Sequence, residues 1–163
     1  MRILNVNNTL NPLTGGGTAE RTFQMSRALA RAGIPCTVLT TDVSLGDDRT
    51  RELKGTQIVT CPAVWPRFFV PEFSVHKIRR AVAQADVIHL MGHWSVLNAF
   101  VYLIATRLRR PYVVCPAGAL PIYGRSRLLK GMYNRVVGRR LIRDDDLQAA
   151  IDAASGRAER PEA

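Results

Sequence analysis

A short aliphatic strand, an asparagine-rich loop, three consecutive glycines and a helix follow one another between Leu4 and Ala28 (LNVNNTLNPLTGGGTAERTFQMSRA). This order constrains the fold more than any other stretch of the chain. Residues Arg2 to Asn7 are mostly aliphatic with little alternation, as in a parallel strand covered on both faces by helices. From Thr18 to Ala32 the apolar positions Phe23, Met25, Ala28, Leu29 and Ala32 recur at helical spacing, and Gly33 followed by Pro35 ends the run. Gly15, Gly16 and Gly17 then lie where backbone N–H groups point outward at a helix start. With Thr18 they are candidate ligands for a phosphate or a sugar hydroxyl, because no Cβ blocks approach and the helix N-terminus carries positive potential. A flexible connection is the alternative reading of the same glycines. Glu20, in the first turn, repels an anion unless Arg21 offsets it.

The remaining pattern repeats the strand-helix theme. CTVLTT (Cys36–Thr41), Thr56–Cys61, VIHLM (Val87–Met91) and Tyr112–Cys115 read as four further strands. Ser74–Ala85 and Ser95–Leu108 read as helices, and Ser126 opens a last helix with an apolar stripe of Leu128, Leu129, Met132, Tyr133, Val136, Val137 and Leu141. Asp42–Gly55 has no usable period and reads as a mobile surface loop; AVWPRFFVPEF (Ala63–Phe73) holds two internal prolines that exclude a regular element. Strands alternating with helices at this pitch predict an α/β fold, one doubly wound parallel sheet of about five strands in the order 3-2-1-4-5 with flanking helices. A single domain over residues 1–143 and a helical or disordered tail over residues 144–163 are expected.

Composition narrows the partners. At 163 residues and 47% hydrophobic content the chain can bury one real core. A formal charge of +10 predicts attraction to anions, whether nucleic acid, anionic lipid or a phosphorylated small molecule. There is no carboxylate between Asp86 and Asp144, so the excess is concentrated towards the C-terminal side. Cys36, Cys61 and Cys115 are odd in number, far apart and without a C-x-x-C pair, which predicts neither a disulfide framework nor a zinc site. No metal and no bound cofactor are expected. Met1 leads directly into a strand and the most apolar run, Val96–Ala105, is too short to span a bilayer; the expected location is cytoplasmic, with peripheral attachment to the inner face of the membrane left open.

Read together, GGGTAER at the first helix, MSRALARAG with TVLTTD after it, DVIHLMGHWS at the fourth strand and YVVCPAGALPIYGRSRLLKGMYN after the fifth resemble the N-terminal half of glycosyltransferase family 4, enzymes with two facing Rossmann-like domains, the GT-B fold. The likeness runs over residues 1–143. It implies transfer of a sugar from a nucleotide-activated donor to an acceptor hydroxyl, with retention and without metal, the N-terminal half holding a saccharide or lipid-linked acceptor. The family's donor half, with its E-x7-E glutamates, is not among these residues, which implies a truncated or split enzyme needing a separate donor-binding domain or chain. Two positions depart from the family: Met91 replaces the second histidine of His-x-His, and Ala117 stands where a histidine precedes the glycine, Gly118. His93 is the candidate catalytic substitute from the neighbouring loop.

Other candidates follow from position at the carboxyl ends of the strands. Trp94 could stack on a sugar ring; Gly118 and Arg125, in PAGALPIYGRS, could bind a phosphate, with loop packing or a solvated arginine as alternatives. His89, mid-strand, reads as a satisfied core histidine. Trp65, Phe68 and Phe69 with Lys130, Arg139 and Arg140 suggest contact with an anionic membrane surface, against the plain alternative of a charged helix face in water. A non-catalytic sugar- or phosphate-binding module is the competing function. Nucleic-acid binding rests on charge alone, without a recognised module. A nicotinamide enzyme using Asp42 is disfavoured, since G-x-G-x-x-G follows its strand directly and GGG here does not.

Overall fold

The computed structural model describes residues 1–43, 46–65, 70–72, 74–117 and 131–144. In chain order the elements are β1 (Ile3–Val6), α1 (Pro12–Arg31), β2 (Cys36–Thr41), α2 (Asp47–Glu52), β3 (Thr56–Cys61), β4 (Ala63–Trp65), β5 (Val70–Pro71), α3 (Val75–Gln84), β6 (Val87–Met91), α4 (Val96–Arg107) and β7 (Tyr112–Cys115). A π-helical stretch, Asn134–Gly138, runs into α5, Arg139–Arg143. Five strands form a parallel sheet in the order β3-β2-β1-β6-β7. Counted within the sheet this is the expected 3-2-1-4-5, a doubly wound Rossmann-like arrangement.

β1 is central because its residues can be buried on both faces. One side packs Leu4, Val6, Leu39, Ile88 and Leu90 under Ile78 and Val82 of α3 and Leu97 and Val101 of α4, with Val137 and Leu141 closing the layer. The other side packs Leu10, Val38 and Leu53 around Phe23 of α1. Each fully buried aliphatic or Phe side chain contributes roughly 1.5–3 kcal/mol, so the larger layer dominates. Beneath α1, β1 is polar instead: Asn5 Nδ2 donates to Ser26 Oγ at 2.9 Å and Asn7 Nδ2 to Thr22 Oγ1 at 2.9 Å. These bonds satisfy the two amide donors, which burial would otherwise penalise, while Asn5 Oδ1 has no partner among the described residues.

Four local expectations change. α1 starts at Pro12, not near Thr18: the Asn11 side chain accepts from Leu13 N–H at 2.8 Å and proline occupies the first turn. Within it Gly16 breaks the helix at φ 58°, ψ −146°. Asp42–Gly55 is not a featureless loop, because α2 docks on α1: Arg49 pairs with Glu20 at 2.7 Å and lies 4.3 Å over the Phe23 ring, and Leu53 is buried beneath. Ala63–Phe73 contains strands after all, β4 and β5 pairing antiparallel as a small ribbon whose edges tolerate proline. The last helix buries a narrower stripe than expected. Tyr133, Val137 and Leu141 face the core while Met132 and Val136 are 63% and 71% exposed.

Candidate functional site

In a doubly wound sheet the strand order reverses beside the first strand, and the loops leaving the strand ends on either side of that point frame a crevice. Here the reversal lies between β1 and β6. β1 exits through Asn7 and Asn8, β6 through Gly92–Ser95 and β7 through Pro116 and Ala117.

The crevice is a cleft of about 450 Å³ lined by Gly15, Gly17, Thr18, Arg21 and Ala117. The three glycines of the triplet differ in what a side chain would meet there. At Gly15 a Cβ would come within 2.6 Å of Thr9 Cγ2 and 2.8 Å of Ala19 Cβ, so the loop must be narrow there. Gly16 occupies backbone space essentially closed to other residues. Gly17 has open space around it, so a Cβ would project without clashing. Because Gly16 is non-helical, the helix restarts behind it, and the first N–H groups of a restarted helix lack carbonyl partners four residues earlier. Such groups favour an anion.

Among the described residues Arg21 is the cation that lines this cleft, and sequence reasoning gave it only the part of offsetting Glu20. It donates from Nη1 to Cys115 Sγ at 3.2 Å, which holds the guanidinium across the ends of β6 and β7. The anticipated repulsion from Glu20 does not arise in the cleft. Hydrogen bonds from Gln24 and then Arg49 lower its pKa and turn its carboxylate towards α2, and among the described residues no carboxylate lines the cleft. The signal for Arg21 was present in GGGTAER: four positions after Gly17, it shares the helix face of the cleft. Ala117 adopts φ 50°, an uncommon conformation for a residue with a Cβ, at the position where the family resemblance places histidine.

His93 and Trp94 lie at the neighbouring loop. His93 is 2% exposed; its Nε2 is 2.9 Å from Asn134 Oδ1, and its ring is packed edge-on by Trp94 at 4.6 Å and Tyr133 at 5.5 Å. Its Nδ1 has no hydrogen-bond partner among the described residues. Tyr133 O–H donates to the Ser95 carbonyl at 3.2 Å, and burial, partly offset by that bond, pushes its hydroxyl up to about 12. Ser95 joins the layers: its Oγ donates to Asn8 Oδ1 at 2.7 Å and accepts from Asn98 N–H at 3.0 Å, capping α4. Asn98 Nδ2 donates to the carbonyls of Met91 and Gly92, fixing the turn where Gly92 takes φ 81°. His93 and Trp94 are thus packed into the scaffold behind the cleft, and neither is among its lining residues.

His89 is half-buried on the strand face beneath α1. Its Nδ1 has no partner among the described residues, so it is not the satisfied core histidine expected, and burial followed by the Arg21 charge lowers its pKa. Trp65 is 60% exposed on β4, and Arg139 and Arg140 are exposed on α5. Gly118, Arg125, Phe68, Phe69 and Lys130 lie outside the described residues. Among the described residues no group of three or more His, Cys, Asp or Glu side chains could hold a metal ion, and no helix is long and apolar enough to cross a membrane.

The sheet order and the interrupted first helix define a Rossmann-like domain. A family model for the glycosyl transferase 4-like domain matches residues 16–158, and the chain belongs to that family. Among solved structures it is similar to HepE of Anabaena, crystallised in complex with UDP and glucose, with a TM-score of 0.51 and 16% identity over 83% of this chain. The chain spans 36% of the HepE chain. No curated protein sequence matches it.

Proposed function

We propose that the chain is the acceptor-side domain of a retaining glycosyltransferase that takes its sugar from a nucleotide donor, with the donor-binding half supplied by residues outside this sequence. The observation that carries this reading is the cleft itself: a helix restarted at Gly16, an arginine four residues beyond Gly17 and no lining carboxylate among the described residues. That chemistry suits a diphosphate leaving group. The UDP and glucose held by HepE support the ligand class.

In the proposed reaction the acceptor oxygen forms a bond to the anomeric carbon while the bond from that carbon to the nucleotide diphosphate breaks, and the acceptor proton passes to a phosphate oxygen. Donors preorganised at the developing negative charge lower such a barrier. In this reading Arg21 and the N–H groups at Gly17 and Thr18 take that role, while Ala117 supplies no imidazole. Val64 and Trp65, both exposed on β4, favour a lipid-linked acceptor presented at a membrane surface over a free saccharide.

The test is a titration of the nitrogen-labelled chain with UDP, followed by amide chemical shifts. Changes confined to Gly15–Arg21 and Ala117, lost in Gly17→Val, are expected. Gly17→Val retains the fold in this account because a Cβ there meets nothing within 4 Å. Shifts elsewhere, or an unaltered response in Gly17→Val, would count against the assignment.

A further inference from the structure

A second concavity lies at the opposite end of the strands. It opens where Arg2 precedes β1, Pro35 precedes β2 and Gly55 precedes β3, with a volume of about 420 Å³, and continues along the sheet face under α3 as a further groove of about 240 Å³. The two share Thr37, Gln57, Arg80, Ala81 and Gln84, so they form one trough between α3 and the β2–β3 margin. Lys77, Arg80 and Gln84 come from one face of α3, spaced three and four residues apart; Thr37 and Gln57 come from neighbouring strands in register.

The lining is chemically one-sided. Arg2, Lys77 and Arg80 bring three positive charges, Gln57, Gln84 and Thr37 bring neutral donors and acceptors, and among the described residues no carboxylate lines either part. None of the three cations is in an ion pair among the described residues. Asp86, beside Arg2, is engaged by the Met1 amino group at 3.9 Å and the Arg2 backbone N–H at 2.7 Å. Like charges gathered in a concavity without counter-charges focus a positive potential there, and a bound anion relieves it. Amides beside the cations add hydrogen-bonding capacity for an uncharged polar body.

We propose that this trough is a binding site for a phosphate-bearing small molecule, a nucleoside phosphate or a sugar phosphate, distinct from the cleft at Gly15–Arg21. Guanidinium and ammonium groups of Arg2, Arg80 and Lys77 hold the phosphate, and Gln57 and Gln84 hold the organic part. Concave shape and amides set within it favour a small ligand over a flat lipid surface. The site is independent of the transferase reading, since none of its residues lines the other cleft.

The experiment titrates the nitrogen-labelled chain with AMP, glucose 6-phosphate and inorganic pyrophosphate separately, and measures sedimentation with phosphatidylglycerol vesicles. Amide shifts at Thr37, Gln57, Arg80 and Gln84 are expected with at least one of the two organic phosphates, and affinity should fall at least about tenfold in Lys77→Ala/Arg80→Ala. Gln57→Glu, which puts a carboxylate into the trough from an exposed strand position, should fall as far with the fold intact by its unfolding transition. AMP binding without glucose 6-phosphate binding would assign a nucleoside phosphate, and the reverse a sugar phosphate. Shifts confined to Gly15–Arg21, an unchanged affinity in both variants, no response to either organic phosphate at millimolar concentration, or binding to vesicles alone would overturn the proposal.

Discussion

At the scale of single residues the cleft depends on backbone conformations that few side chains permit. Gly16→Ala should cost about 1–3 kcal/mol, because φ 58° with ψ −146° is glycine space although nothing crowds the position. Chemical denaturation would measure it. The reverse change at the other wall, Ala117→Gly, should stabilise by about 1 kcal/mol, since Ala117 holds φ 50° with a Cβ. His89 gives a pH signature. Its pKa is lowered by burial and by Arg21, so the unfolded chain binds its proton more readily than the folded one. The corresponding stability is complete above the unfolded value near pH ~6.5 and is lost as pH falls below it. Denaturation midpoints should therefore drop between about pH 7 and about pH 5, and His89→Asn should flatten that slope. An equal slope in the variant would assign the loss to other groups. Lowering of the Glu20 pKa acts in the same direction, but in the carboxylate range.

At the scale of elements the site is assembled by joints between secondary structures, and these were the least legible part of the sequence. Ser95 ties the β1 exit to the start of α4, so Ser95→Ala should cost about 1–2 kcal/mol as a lost cap, with an additional loss at Asn8. Asn134 brings the π-helical stretch against His93, and Asn134→Ala, which strands a buried imidazole nitrogen, should cost about 1–3 kcal/mol. Both are read from unfolding curves. The strands and major helices could be read directly because their apolar periods are long and β1 is buried on both faces. α2 could not, since its six residues are all polar or charged and it is held by Arg49 against Glu20 and Phe23, partners far away in sequence. β4 and β5 were hidden by prolines that an isolated ribbon accepts. The glycine triplet marked a break in backbone conformation, yet the helix start signal, Asn11–Pro12, was overlooked in favour of the glycines. Arg21 was obscured because its neighbour Glu20 was expected to compete, whereas α2 draws that carboxylate away.

For the whole molecule the fold has two ends with different characters. The carboxyl ends of β1, β6 and β7 carry the glycine cleft and Arg21, in a chain that belongs to the glycosyl transferase 4-like domain family. The amino ends carry a separate basic trough. The most direct measurement is sugar transfer with a donor-binding half of the same family supplied in trans, assayed against lipid-linked and free saccharide acceptors from UDP-glucose. Product formation by the mixture, absent with either half alone and reduced at least about tenfold in Arg21→Ala and Gly17→Val, is the predicted result. A mixture that forms product equally well with both variants, or none with any acceptor, would contradict a transfer role for this cleft.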